Sequence, residues 1–143
     1  MKIEPTFLTT EQVLFIHDQM VKRFGGSFGV RDPGLVKSAV ARPQASFDGQ
    51  YLYSSIFDKA AALLQSLLKN HPFVDGNKRT ALTSAGIFLK KNGYKLVNQH
   101  KEELEFAVKV DNGNLTVEQI SQWLKTHSVK ISSKQHLISL CSP

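Results

Sequence analysis

The sequence predicts an all-α domain, and three observations carry that expectation. Apolar residues recur at three- and four-residue spacing in successive segments, the period of a helix face rather than of a strand. Two of these segments open on capping boxes, Thr9 with Gln12 and Thr116 with Gln119, and a third opens on Asp32-Pro33. Only one short stretch carries hairpin chemistry. At 143 residues with 41% hydrophobic content, the chain is the size of one domain with one core.

The first helix starts after Thr9, with Leu8 and Val13 placed as a hydrophobic staple, and runs through Val13, Ile16, Met20, Val21 and Phe24 to a stop at Gly25-Gly26. Asp32 as N-cap and Pro33 as first residue open a short second helix with Leu35, Val36 and Val40, ended by Arg42-Pro43. Phe47-Asp48-Gly49-Gln50-Tyr51-Leu52-Tyr53 follows, and Asp-Gly between aromatic residues predicts a type I′ hairpin. Its open edge is either a plain surface turn or a docking rail for an extended peptide. The third helix, about Ser55 to Asn70, has an apolar stripe too wide for a surface helix and is expected to run through the core. After a break from His71 to Gly76, a fourth helix carries Ala81, Leu82, Ala85, Phe88 and Leu89 to Asn92-Gly93. A fifth, with Leu104, Ala107 and Val108, ends near Asn112-Gly113, and a sixth from Thr116 buries Trp123 and Leu124. The domain is expected to span residues 1–127, with 128–143 a tail of unassigned role.

Composition excludes several classes. No apolar run approaches the roughly 18 residues of a membrane span, and Met1-Lys2-Ile3-Glu4-Pro5 is no signal peptide, so a cytoplasmic protein is expected. The single cysteine, Cys141, makes neither an internal disulfide nor a cysteine-only metal site, and reads as a free terminal thiol. A formal charge of +6 favours anionic partners, but the segment from Ser128 holds Lys130 and Lys134 without an acid, which leaves the body at +4. That is weak grounds for nucleic acid as a direct ligand.

The chemistry concentrates in His71-Pro72-Phe73-Val74-Asp75-Gly76-Asn77-Lys78-Arg79-Thr80. Pro72 ends the third helix and forces His71 out of the α region, so its imidazole projects from a loop that Phe73 is expected to anchor. Gly76 allows a turn or a close approach to ligand, and the N–H groups opening the next helix converge as an anion site. Lys78 and Arg79 lie in that first turn, where the helix dipole disfavours each cation by roughly 0.3–1 kcal/mol. A bound polyphosphate reverses the sign. Asp75 beside it supplies the one carboxylate that Mg²⁺ needs alongside phosphate and water, and the imidazole of His71 suits a general base for an attacking hydroxyl. Taken singly, these residues have structural readings: a cap, a solvated helix face, a polar loop. Their convergence on one helix start favours chemistry.

These residues, His71-x-Phe73-x-Asp75-Gly76-Asn77-x-Arg79, resemble the signature of the Fic/Doc family, and Lys78-Arg79-Thr80-Ala81 resembles its death-on-curing (Doc) toxin branch. Further likeness in Gly29-Val30-Arg31-Asp32-Pro33-Gly34-Leu35, Ala41-Arg42-Pro43, Lys59-Ala60-Ala61 and Asn92-Gly93-Tyr94 extends it over roughly residues 5 to 126. The resemblance implies a single Fic-like helical domain with a hairpin flap that aligns the target. It also implies a motif loop that binds ATP with Mg²⁺ and transfer of part of the nucleotide to a protein hydroxyl. By position, His71 resembles the general base, Asp75 the metal ligand, Asn77 the phosphate-loop residue and Arg79 a phosphate clamp, with Gly76 and Lys78 in the nucleotide loop and Phe47 to Tyr53 as the flap. Adenylylating members usually have glycine at the position of Lys78 and a second arginine at that of Leu82. Lysine at 78 is the Doc habit, which implies transfer of the γ-phosphate to a translation elongation factor, whereas Gly76 follows the wider Fic pattern.

The expected function is therefore a Doc-type toxin phosphorylating a Ser or Thr hydroxyl, with adenylylation by the same site as the second reading. A non-catalytic helical module binding nucleotide or nucleic acid is the alternative of another class. Self-inhibiting Fic proteins resemble one another in a helix where Glu precedes Gly or Asn. No Glu here does, which implies an antitoxin acting in trans. Outside the motif, His17 reads as a hydrogen-bonded core or boundary histidine on the first helix, and Arg31 as support for a capped turn. Trp123 and Phe88 read as core, and His100, His127 and His136 are given no role.

Overall fold

In the computed structural model, which describes residues 4–97 and 99–132, Thr9 opens α1 (Thr10–Phe24) with the expected reciprocal box. Its hydroxyl accepts from the Gln12 N–H at 3.1 Å, and Gln12 Oε1 accepts from the Thr9 N–H at 2.8 Å. Asp32 caps α2 (Pro33–Ala41), and a 3-10 turn at Arg42–Gln44 leads into β1 (Ser46–Phe47) and β2 (Gln50–Tyr51). Asp48 and Gly49 both have positive φ, 52° and 75°, as a type I′ turn requires.

Ser55 caps α3 (Ile56–Lys69), which the wide apolar stripe places at the centre of the molecule. Ala60, Ala61, Ala62, Leu64, Leu67 and Leu68 have no exposure at all. α3 packs against α2, α4 (Asn77–Lys91), α5 (His100–Asn112) and α6 (Val117–Thr126), while α1 lies on α4 and α2. Both α3 and α4 bury small residues, Ala60, Ala61 and Ala62 on one and Ala81, Ser84 and Ala85 on the other, which suits close approach of packed helix axes. The hydrophobic core gathers residues of all six helices.

Two features differ from the sequence reading. Tyr94–Leu96 (β3) pairs antiparallel with Ser128–Lys130 (β4), with Lys95 opposite Val129, so the segment after His127 returns to the end of α4. On α5 the buried face is Phe106, Ala107 and Val110, whereas Val108 is exposed. Trp123 decides that face, because its ring stacks on Phe106 at 4.0 Å. Among the described residues, no helix is long and apolar enough to cross a membrane. Cys141 and His136 lie outside the described residues.

Candidate active site

The loop between α3 and α4 is built by contacts from distant parts of the chain. His71 follows the α3 C-cap Asn70 with φ 47°, a left-handed conformation rather than the extended one that a following proline favours. Arg31 accounts for the difference, because its guanidinium donates to the carbonyls of Asn70 (2.6 Å) and His71 (2.7 Å) that the helix end leaves open. The N–H groups of Arg31 and Asp32 both reach the Pro72 carbonyl, and the Val74 N–H reaches the Gly29 carbonyl, so Gly29–Asp32 runs alongside the loop. Arg31 thus does more than support its own turn.

Phe73 anchors the loop as expected, at 1% exposure, and His17 stacks on it with ring centroids 3.9 Å apart. His17 Nε2 donates to the Asp75 carbonyl at 2.7 Å, which confirms a satisfied buried histidine and places it directly under the motif. The Asn77 side chain closes the loop from the other side, accepting from the Phe73 N–H and donating to the Phe73 carbonyl, both at 3.0 Å. Gly76, at φ 77°, is the left-handed N-cap of α4 and contributes no side-chain cap. Gly26 is needed for space, since a Cβ there would stand 2.7 Å from Asp75 Oδ2.

The candidate side chains surround a cleft of about 550 Å³ lined by Phe24, Gly25, Gly26, His71, Val74, Asp75, Gly76, Asn77, Lys78, Arg79 and Leu104. The Asp75 carboxylate accepts from the N–H of Gly76 (2.9 Å) and of Ser27 (3.2 Å), and remains exposed. Each oxygen keeps a lone pair for a cation, so the residue fits a Mg²⁺ site completed by nucleotide oxygens and water. Among the described residues, no cluster of three or more His, Cys, Asp or Glu side chains offers another metal site. Lys78 and Arg79 each have a partner at this dipole-disfavoured end. Lys78 Nζ lies 3.2 Å from Asp111 Oδ2, and the Arg79 guanidinium sits 3.9 Å from the Phe24 ring centroid and 3.0 Å from His100 Nε2.

His71 is half-exposed, and its Nε2 lies 2.9 Å from Asp111 Oδ1. Asp111 therefore bridges the candidate base and a candidate phosphate ligand from the last turn of α5. Burial pushes its pKa up, but hydrogen bonds from His71 and Lys78 and their charges outweigh this, and the carboxyl is held below its ordinary range.

The structure brings His71, Asp75, Gly76, Asn77, Lys78 and Arg79 to one cleft. It does not bring Phe47 to Tyr53 there. The hairpin stands at the start of α3 and His71 after its end, some 21 Å of helix apart. Tyr51 packs on Phe7, which packs on Phe88 near the far end of α4. Sequence reading missed Asp111, His100 and Phe24, the last assigned to the core but 46% exposed beneath Arg79. The one available signal was Phe24 immediately before Gly25-Gly26, where an apolar face runs out at a loop.

A family model described as the Fic/DOC family matches residues 7–89. A protein named Toxin Doc from Mycolicibacterium smegmatis is 59% identical over 73 residues, 51% of this chain and 56% of that protein. One named Protein kinase doc from Escherichia phage P1 is 30% identical over 118 residues, 82% of this chain and 92% of that protein. The chain thus spans little more than half the length of the first and nearly all of the second.

Proposed function

The chain belongs to the Fic/DOC family, and from that premise we propose that it is a Doc-type toxin that transfers the γ-phosphate of ATP to a Ser or Thr hydroxyl of a protein target, a translation elongation factor. The observation that carries the proposal is the convergence of His71, Asp75 and the cationic start of α4 on one cleft. The N–H groups at the start of α4, Lys78 and Arg79 hold the phosphates, and Asn77 and His17 keep the loop in shape. Mg²⁺, held by Asp75 with nucleotide oxygens and water, would neutralise phosphate charge. His71 takes the proton of the target hydroxyl. The hydroxyl oxygen bonds to the γ-phosphorus, the bond to the bridging oxygen breaks, and ADP leaves with that electron pair.

Gly76, the wider Fic residue, favours the second reading, adenylylation by the same groups. ATP carrying distinguishable labels on its α- and γ-phosphates, incubated with the protein and host lysate, separates the two. Label from the γ-phosphate alone on a protein is the expected result, and label from the α-phosphate with adenine would make the chain an adenylyltransferase. No labelled protein, together with nucleic-acid binding that falls steeply with salt, would make it a binding module.

An antitoxin is the proposed inhibitor in trans. The apolar groove between α1 and α4, about 470 Å³, includes Leu8, Phe15, Ile16, Met20 and Ile87, with Phe15 59% exposed. Such a groove suits the apolar face of a partner helix, and Arg23, next to Phe24 at its site end, would meet an acidic side chain on that helix.

A further inference from the structure

We propose that Asp111 is a positioning residue for His71: the carboxylate at the end of α5 fixes the imidazole with its proton on Nε2, which makes Nδ1 the nitrogen that accepts the proton of the target hydroxyl. The inference rests on the reading of His71 as the base and adds a residue to it.

The geometry carries the argument. A carboxylate oxygen can only accept a hydrogen bond, so the 2.9 Å contact requires the hydrogen on Nε2. In a neutral ring the lone pair is then on Nδ1 alone. Asp111 is suited to this task because it is well fixed. Its side chain is only 14% exposed, and Lys78 Nζ holds its other oxygen at 3.2 Å. Lys69 Nζ, from α3, donates to the main-chain carbonyls of Asp111 (3.3 Å) and Gly113 (3.1 Å), closing the end of α5. The groups facing the carboxylate are His71 from the motif loop and Lys78 from α4, and both favour its ionised form, while Lys69 from α3 holds only the main chain at this helix end. When His71 takes the proton of the hydroxyl, the imidazolium forms against an anion already in place, and no rearrangement is needed.

The arrangement also sets what Asp111 does not do. It is held by His71 and Lys78 rather than aimed at the metal carboxylate Asp75, and it is not a wall residue of the cleft. It acts through another side chain.

The test uses the full chain with ¹⁵N-labelled histidine, His71 being identified by the resonance that His71→Ala lacks. Long-range ¹H–¹⁵N correlations above the titration range read the tautomer directly and need no nucleotide. Wild type should show the proton on Nε2 only. Asp111→Asn, which offers a donor amide as well as an acceptor, should show a measurable fraction on Nδ1, and Asp111→Glu should restore the Nε2 form. In transfer assays Asp111→Asn should lower kcat roughly ten- to a hundredfold with KM for ATP little changed, and Asp111→Glu should recover part of the rate. An unchanged tautomer in Asp111→Asn overturns the proposal, as does a changed tautomer with undiminished rate. A higher rate would mean that Asp111 holds His71 and Lys78 idle, and overturns it too. Because adenylyl transfer needs the same proton removed, the rate comparison stands whichever phosphate is transferred. If wild type labels no protein at all, the function proposed above fails, and with it the role of Nδ1, while the spectrum still reports whether Asp111 sets the ring.

Discussion

At the scale of single residues, His71 is set by its backbone as much as by its ring. Its φ of 47° is disfavoured for any residue with a Cβ. His71→Ala should therefore keep the fold yet lose transfer by about a hundredfold or more, the usual cost of removing a general base. His71→Gly should be equally inactive but more stable than His71→Ala by about 1 kcal/mol, a difference that urea denaturation resolves. Asp111 gives a prediction in pH. Its carboxyl takes a proton at about 3.8 when unfolded and lower when folded, so between those values the unfolded chain holds more protons and stability rises with pH. The contribution is complete above the ordinary carboxyl value and lost as pH falls through the folded one. Denaturation midpoints from about pH 5 down to 2 should therefore fall less steeply in Asp111→Asn than in wild type; parallel curves would refute the link. The capping residues were legible because Thr9 and Thr116 find their partners three residues away. Arg31 and Asp111 were not, since the His71 groups they hold lie 40 residues off in sequence.

Among the elements, the unit α3, loop and α4 was readable because its signals are local: a proline end, a left-handed glycine and two apolar periods. The β3–β4 pair was not, because three-residue strands 31 residues apart leave no alternation to detect. The β1–β2 hairpin was legible through Asp48-Gly49, but its place was not. It is tied down by Lys59, buried at 2% exposure, whose ammonium donates to the carbonyls of Tyr53 (2.7 Å) and Ser54 (3.0 Å). Burial pushes the Lys59 pKa down, opposed by the charges of Asp58 and Glu4, and the ammonium also lies 4.2 Å from the Tyr51 ring centroid. Lys59→Met should cost about 1–3 kcal/mol and weaken hydrogen-exchange protection of the Leu52 amide, which pairs with the Ala45 carbonyl. Unchanged protection would show that the hairpin holds without it. Two exposed phenylalanines are the candidates for docking the proposed protein target, Phe47 on the hairpin and Phe28 on the stretch beside the motif loop. With the hairpin at the other end of α3, Phe28→Asp should raise KM for the target several-fold and Phe47→Asp should leave it unchanged. The reverse result would move docking to the hairpin.

Across the whole molecule, the cleft draws on four parts of the chain: the end of α1, the motif loop, the start of α4 and, from α5, Leu104. The motif alone could be read in the sequence, since the Leu104 wall and the Asp111 partner of His71 come from tertiary packing of α5. That wall is held by a clasp, for β3 and β4 bring Tyr94 and Lys130 together and close α5 and α6 into an excursion that starts and finishes at one point. On a ribosome, therefore, the His71 motif emerges long before Asp111, and the strand that fastens the excursion emerges later still. A chain ending at residue 99 should fail to bind Mg-ATP in calorimetric titration, whereas one ending at residue 132 should bind it; equal binding would show that the wall is dispensable. This order of emergence delays assembly of the whole cleft until the fastening strand, Ser128–Lys130, has itself left the ribosome.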